Sequence, residues 1–403
     1  MNVLGTSLHD PILDSIVNNS SRSKKFSVDL IVQSLPPVHD AIGEYTSYLA
    51  AELAHTVNVR VLSSEDTELS PIVRASVVPC FSMTGNNRFV GLSKQLLETQ
   101  ADAVVLQYNP FAWGRRGWAP DLIKVIRHFK TVRPDVHLGV MFHEIYAPNK
   151  GIRPRLMRLW QIRQFRSLAT LADTCFFSTG LWAENEKSRR PQAVNVHLPV
   201  GANLPTPTVD RQIARSNLGI RTDALVFGLF GGGHVSKQLS WIGDAVRNVI
   251  DKNTNQGPIV LLHVGGEEAF VRKELGNVPL TQTGRLDAHN ATNAIAAMDI
   301  FLGPLTDGIS TRRGSIIAAL QAGIAVVSTA GYHTESIWTT PDAAGVLLSP
   351  ANDLSAWIKN VQTLAGDQSH QKRCGIMNRK FFERNFTWSE IAMRMIHQLS
   401  KTQ

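Results

Sequence analysis

Short apolar runs alternate with amphipathic stretches along most of this chain. In the first half, FSVDLIVQSL, VNVRVLS, ADAVVLQYN, VHLGVMFHE and ADTCFFST predict successive strands. Their nearly continuous apolar character is that of strands buried on both faces, as in a parallel sheet. Helices are predicted between them, for example over Tyr45 to Ala54 and Pro120 to Phe129. The pattern breaks at LPVGANLPTPTVD (198–210), whose Pro and Gly content marks a linker. It restarts with ALVFGLFG, GPIVLLHVGG, VPLTQTG, DIFLGPL and AVVST, then closes in two helical stretches, ANDLSAWIKNVQTLAG and FFERNFTWSEIAMRMIHQL. Alternation of this kind predicts an α/β protein of two doubly wound, Rossmann-like halves facing a central cleft. The predicted division is a mobile tail over 1–25, a first domain over 26–200, a second over 201–385 and a closing helix over 386–403.

The length of 403 residues agrees with two cores rather than one. With 43% hydrophobic and 18% charged residues the composition is that of a globular protein, and no apolar run approaches the roughly 20 residues that span a bilayer. The N-terminus lacks a basic start followed by an apolar stretch, so no secretory signal is expected. Cys80, Cys175 and Cys374 are odd in number and far apart. They predict reduced thiols in a cytoplasmic protein and show no zinc-ligand spacing. No metal and no cofactor are expected.

Charge changes the picture locally. The net charge is +8, and between Arg115 and Arg190 there are 15 Lys/Arg against 6 Asp/Glu. Residues 145–172 contain Lys150, Arg153, Arg155, Arg158, Arg163 and Arg166 and no acid, with Leu156, Leu159, Trp160, Ile162 and Phe165 interleaved. The stretch from Lys150 to Arg166 predicts a basic amphipathic helix suited to an anionic membrane surface and weak, salt-sensitive vesicle binding. The plainer reading is a solvated helix face. No nucleic-acid-binding motif is present, and nucleic acid is not an expected partner.

Candidate chemistry sits in the loops after the strands, where open α/β sheets bind ligands. In DIFLGPLTDGISTRRGSIIAALQAGIAVVST (299–329), two strands, Ile300 to Leu305 and Ile324 to Ser328, bracket a loop and a helix. That helix is expected to open at Ser310 or Thr311 and to close at Gly323. Free N–H groups there, beside Arg312 and Arg313, suit a diphosphate, and Asp307 suits sugar hydroxyls. Gly231 to Gly233, followed by His234 and Lys237, offer backbone amides and a cation to a phosphate. In the first half, Gly43 precedes a helix, and His143-Glu144 ends a strand, where His143 can contact a hydroxyl or shuttle a proton. Each feature alone is equally an ordinary turn, hinge or backbone-satisfied histidine. Together they suit a nucleotide diphosphate carrying a polyhydroxyl group.

The ordered motifs IGEYTSYLAAEL, LQYNPFAWGRRG, FHEIYA, FGLFGGGHVSK, HVGGEE, TGRL, the Asp307 loop, AGVLLSP and NFTWSEIA resemble those of GT-B glycosyltransferases, close to the large retaining family 4. The resemblance runs over roughly residues 26–400. It implies a first domain that binds the acceptor, a second that binds the nucleotide sugar, and a C-terminal helix that crosses back to the first. It implies a metal-independent hexosyltransferase moving sugar from a UDP- or GDP-sugar to a hydroxyl acceptor, with retention, in glycan, glycolipid or exopolysaccharide assembly. The basic stretch from Lys150 to Arg166 adds the expectation of a lipid-linked or nascent-polysaccharide acceptor and of a peripheral place on the inner membrane face. His143, Asp307 and Lys237 would take the catalytic places. Gly43, Gly232, Gly233, Ser310, Thr311 and Arg312 would hold the donor diphosphate. Gly265, Gly266, Arg285, Leu286 and Ser315 would line the nucleoside pocket. The chain departs from the family where an Arg usually precedes the phosphate Lys, leaving His234, Arg312 or Arg313 to supply that charge. It departs again eight residues past Asp307, where Ser315 stands in place of the second Glu of a Glu-x7-Glu signature. These departures leave two alternatives open: a non-catalytic nucleotide-sugar-binding relative, and a GT-B sugar-nucleotide epimerase.

Overall fold

A computed structural model describes residues 25–38, 40–66, 69–147, 151–252 and 257–401. The predicted tail over 1–25 lies outside them except for Lys25, as does Lys150 of the basic stretch.

The first unit runs β1 (Ser27–Ile31), α1 (Ala41–Leu53), β2 (Asn58–Ser64), β3 (Ser76–Phe81), α2 (Val90–Leu97), β4 (Ala103–Tyr108), α3 (Pro110–Trp113), α4 (Pro120–Val132), β5 (His137–Phe142), α5 (Ile152–Leu171), β6 (Thr174–Phe177), α6 (Gly180–Arg189) and β7 (Val194–His197). The second runs α7 (Arg211–Asn217), β8 (Leu225–Phe230), α8 (Leu239–Asp251), β9 (Ile259–Val264), α9 (Glu268–Leu275), β10 (Leu280–Gln282), α10 (Ala288–Ile295), β11 (Ile300–Gly303), α11 (Gly314–Gln321), β12 (Ala325–Ala330), β13 (Val346–Pro350) and α12 (Leu354–Ala365). Two helices close the chain, α13 (Gln368–Asn385) and α14 (Trp388–Ser400).

The strands form two sheets, ordered β3-β2-β1-β4-β5-β6-β7 and β10-β9-β8-β11-β12-β13. Neighbouring strands are parallel throughout. Central strands such as β4 and β5 are buried at every position because helices cover both faces. Each sheet reverses its winding beside its first strand, between β1 and β4 and between β8 and β11. Such switch points open a crevice at the carboxyl ends of the strands.

Three strands lie outside the expected set, namely β3, β7 and β13, and all three are sheet edges. Edge strands are half-covered, so their apolar signal is broken: β3 carries Pro79 and β7 is fully buried nowhere. A proline is tolerated there because an edge leaves one row of N–H groups unpaired.

The closing stretch, expected as one helix, is two. Phe386 is buried at the end of α13, and Thr387 caps α14 by accepting from the Glu390 N–H at 3.3 Å. Thr387-Trp-Ser-Glu390 is a capping-box sequence, so this break is readable from the residues themselves. Helix α14 then returns to the first unit, where Ile391, Met395 and Leu399 join the core beneath α1 with Tyr45 and Leu49. The linker stretch 198–210 lies between β7 and α7, and Trp388 Nε1 donates to Ala202 O at 2.9 Å within it.

Candidate active site

The loops after β8 and β11 meet at the switch point of the second sheet. Backbone bonds join them: Thr306 N donates to Ser236 O at 2.9 Å and Gln238 N to Pro304 O at 3.0 Å. Lys237 is therefore fixed between the glycine loop and the Asp307 loop. Its Nζ donates to Phe230 O and Gly232 O, each at 2.9 Å. Burial, reinforced by the charge of Arg313, pushes its pKa down to about 8.

The glycine loop owes its shape to close packing. Gly231 has φ 89°, and its backbone lies against Gly265, where an added Cβ would sit 2.9 Å from Gly231 atoms. Beside these loops is a cavity of about 550 Å³ lined by Gly231, Gly232, Gly233, Lys237, Gly265, Gly266, Arg285 and Leu286, among others. Residues expected in two separate roles, phosphate and nucleoside, thus face one space. Glu267, part of the HVGGEE motif but expected in no role, stands at its rim and accepts from Gly233 N at 2.5 Å, so the Gly233 amide is engaged rather than open to a phosphate.

The Asp307 loop differs from expectation. Helix α11 opens at Gly314, several residues after Ser310 and Thr311, and Gly323 follows its end in the left-handed region as expected. Ser310 and Thr311 are buried. The Thr311 N–H donates to Glu335 Oε2 at 2.6 Å and its hydroxyl to Glu335 Oε1 at 2.6 Å, so this amide is engaged rather than open to an anion. Arg312 turns to the other domain, donating to Glu144 Oε2 at 2.8 Å and lying over the Trp182 ring. Arg313 instead turns into the switch point. It holds both Asp307 carboxylate oxygens at 2.6 Å and donates to Ser236 Oγ at 3.1 Å. Its buried Nε–H meets no acceptor among the described protein atoms. Ser315, placed by sequence in the nucleoside pocket, sits in the first turn of α11 and lines a small cavity with Lys237, Pro304 and Leu305.

The first domain contributes from the opposite side. His143 follows β5, and its Nε2 bonds Gln107 Oε1 at 2.7 Å while its ring meets Tyr45 edge-on at 4.7 Å. Burial pushes its pKa down to about 3. Burial thus favours the neutral ring, which can accept a hydrogen bond from a hydroxyl or donate one to it. Gly43 lies inside the first turn of α1, not before it. Its N–H is taken by the capping carboxylate of Asp40 at 2.7 Å, and a Cβ there would meet Ser34 O at 2.7 Å. Its glycine character is explained by that backbone contact, and its amide is not open to a phosphate.

The two domains close on each other through a buried polar knot. Glu335 of the second domain accepts from the Gly180 N–H of the first at 2.7 Å, at the start of α6. Thr311 Oγ1 lies 2.9 Å from Ser178 O and 2.8 Å from His197 Nε2. No motif pointed to Glu335 or His197, because their partners lie far away along the chain.

Two parallel doubly wound sheets, a crevice between them and a C-terminal helix crossing back define this arrangement. The fold is that of the GT-B glycosyltransferases. Residues 224–367 match the family model described as glycosyl transferases group 1. The GT-B fold aligns over 94% of the chain with sucrose-phosphate synthase of Thermosynechococcus elongatus, covering all of that chain at 16% identity and a TM-score of 0.65. It aligns over 93% with Anabaena HepE in complex with UDP and glucose, covering 99% of that chain at 16% identity and a TM-score of 0.62. WaaG, a glycosyltransferase of lipopolysaccharide biosynthesis, aligns over 93% of this chain and all of its own at 15% identity and a TM-score of 0.60. No curated protein matches in sequence. Among the described residues no group of three or more His, Cys, Asp or Glu is placed to hold a metal ion, and no helix is long and apolar enough to cross a membrane.

Proposed function

We propose that this chain transfers a sugar from a nucleotide-diphosphate sugar to a hydroxyl acceptor. The observation that carries the reading is the position of Lys237, which lines both the cavity of the glycine loop and the small cavity at the first turn of α11, with Arg313 bonded to the adjacent Ser236. Cations and helix-end N–H groups aimed at one point stabilise charge on a departing diphosphate, and such stabilisation commonly dominates the rate enhancement. Arg313 supplies the cation that the family's usual Arg would provide, and Ser315 contributes the free N–H of the α11 terminus. Asp307, oriented by Arg313, receives sugar hydroxyls, and neutral His143 bonds the transferring sugar from the first domain. The nucleobase lies by Gly265, Gly266, Arg285 and Leu286. Similarity to a structure holding UDP and glucose supports a uridine donor over a guanosine one. Retention, a metal-independent reaction, and a lipid-linked or nascent-glycan acceptor at the inner membrane face complete the proposal. We keep the division 26–200 for the acceptor domain, 201–385 for the donor domain and 386–403 for the returning helix.

Incubation with UDP- and GDP-sugars, with and without hydroxyl acceptors, tests this reading. Nucleotide release with acceptor-dependent product is expected. Binding without release would favour a non-catalytic relative, and isomerised donor without acceptor an epimerase. A second expectation follows from Lys237. Its ammonium is cationic below about 8 and neutral above, so UDP affinity should fall as pH rises through that value. Calorimetric titrations on either side of pH 8 should show this, and Lys237→Arg should flatten it. Equal affinity in the parent at both pH values would remove Lys237 from the diphosphate site.

A further inference from the structure

Helix α5 buries Phe165, Leu168 and Ala169 near its C-terminal end, but its first half leaves large apolar side chains outside. Its inward face is held by two buried amides: Gln161 accepts from Ala147 N at 2.7 Å and donates to Arg116 O at 3.1 Å, while Gln164 accepts from Ala119 N at 2.7 Å and donates to Gly117 O at 2.7 Å. Its outward face carries Ile152, Leu156 and Leu159, which are 78%, 53% and 57% exposed. The same glutamines grip the turn Gly114–Ala119, in which Arg116 takes a left-handed φ of 56°. Positive φ in a non-glycine residue is strained, and such strain concentrates at functional surfaces. That turn presents Trp118, 54% exposed, edge-on to Trp160 of α5 at 6.2 Å between centroids. Exposed Arg115, Arg116, Arg153, Arg155 and Arg163 lie along the same two segments, and 145–172 contains no acidic residue.

We infer that this face, built jointly by α5 and the Gly114–Ala119 turn, is a docking surface for an anionic lipid bilayer. Exposed aliphatic side chains suit the acyl boundary, an indole pair suits the headgroup level, and arginines without acidic neighbours suit anionic headgroups. A protein partner of mixed charge would not call for this one-sided set. Arg158 donates to Ala147 O, in the segment that follows His143 and Glu144, so α5 is tied directly to the cleft wall. Docking by this face would bring the crevice to the membrane surface, which deepens the proposed use of a lipid-linked acceptor without requiring it.

Sedimentation of the full chain with phosphatidylglycerol/phosphatidylcholine vesicles, at low and high salt, tests the surface without any sugar donor. Binding to anionic vesicles is expected, and it should be weakened by salt and absent with pure phosphatidylcholine. Leu156→Ser with Leu159→Ser, and separately Arg155→Ser with Arg163→Ser, should each lower partitioning at least ten-fold. Arg155→Lys with Arg163→Lys should restore most of it. These side chains are exposed, so unchanged thermal melting and circular dichroism will show that the variants fold. Equal binding to neutral and anionic vesicles, variants that bind like the parent, or a parent dimer dissolved by the leucine pair would each overturn the inference. Loss of vesicle binding with intact donor turnover would support it independently of the catalytic reading.

Discussion

Arg313→Ala is expected to slow donor turnover by roughly a hundred-fold, with Lys237→Ala slowing it at least ten-fold. Each removal takes a charge or donor from one developing anion, and single losses of this kind typically cost about 10²–10³ in rate at oxyanion sites. Arg313 merits the larger figure because it acts twice. It reaches Ser236 beside the glycine loop, and it also fixes the Asp307 carboxylate through two 2.6 Å contacts. Lys237, shared between two carbonyl oxygens and pushed down to about 8, contributes less near neutral pH. The double variant should fall short of the product of the two single effects, since groups stabilising one leaving group are not additive. Nucleotide release from a UDP-sugar, read as kcat and KM, gives the measurement. Arg312→Ala is the control: Arg312 faces Glu144 across the domains, so its loss should act less on the chemical step. Unchanged kinetics in Arg313→Ala would return the phosphate role to Arg312.

Glu335→Ala should destabilise the chain by about 3 kcal/mol or more. It removes the acceptor shared by four donors, Gly180 N, Thr311 N, Thr311 Oγ1 and Trp338 Nε1, of which the Thr311 hydroxyl alone has a second acceptor among the described residues, Ser178 O. A buried donor left without a partner costs about 1–3 kcal/mol, and only some of these four can find water. The residue is almost fully buried, and its pKa is raised by that burial although every one of these bonds favours the carboxylate. Glu335→Gln keeps one oxygen but turns an amide toward the other donors, so an intermediate loss is expected. Denaturant unfolding reads the difference. Because the knot joins the domains, Glu335→Ala should also expose the segment around Gly180 to proteolysis. A midpoint equal to that of the parent would show that the domains are held elsewhere.

Much of the fold is legible in the residues wherever the signal is local. Central strands β4, β5, β8 and β12 stand out because burial on both faces leaves an unbroken apolar run. The glycine loop and the Asp307 loop stand out because strand ends carry characteristic turns. The edge strands β3, β7 and β13 escape notice because half-coverage leaves no such run. Within the candidate site, residue types are easier to select than their directions. Thr311 and Arg313 stand two positions apart, yet one closes a buried interdomain knot and the other enters the switch point. Gly43 has the expected property, close backbone approach, but the approaching group is Ser34 O.

The sequence by itself determined two α/β halves and the turns at their strand ends, because periodicity and turn preference act between residues near each other in the chain. The tertiary structure alone decided which arginine meets Asp307, that burial lowers the pKa of His143, that Glu335 joins the domains, and that α5 buries Gln161 and Gln164 while exposing Leu156 and Leu159. Those outcomes depend on burial and on partners brought together from opposite ends of the chain. Such partners set the desolvation, charge and hydrogen bonding of a side chain, and no local pattern encodes them.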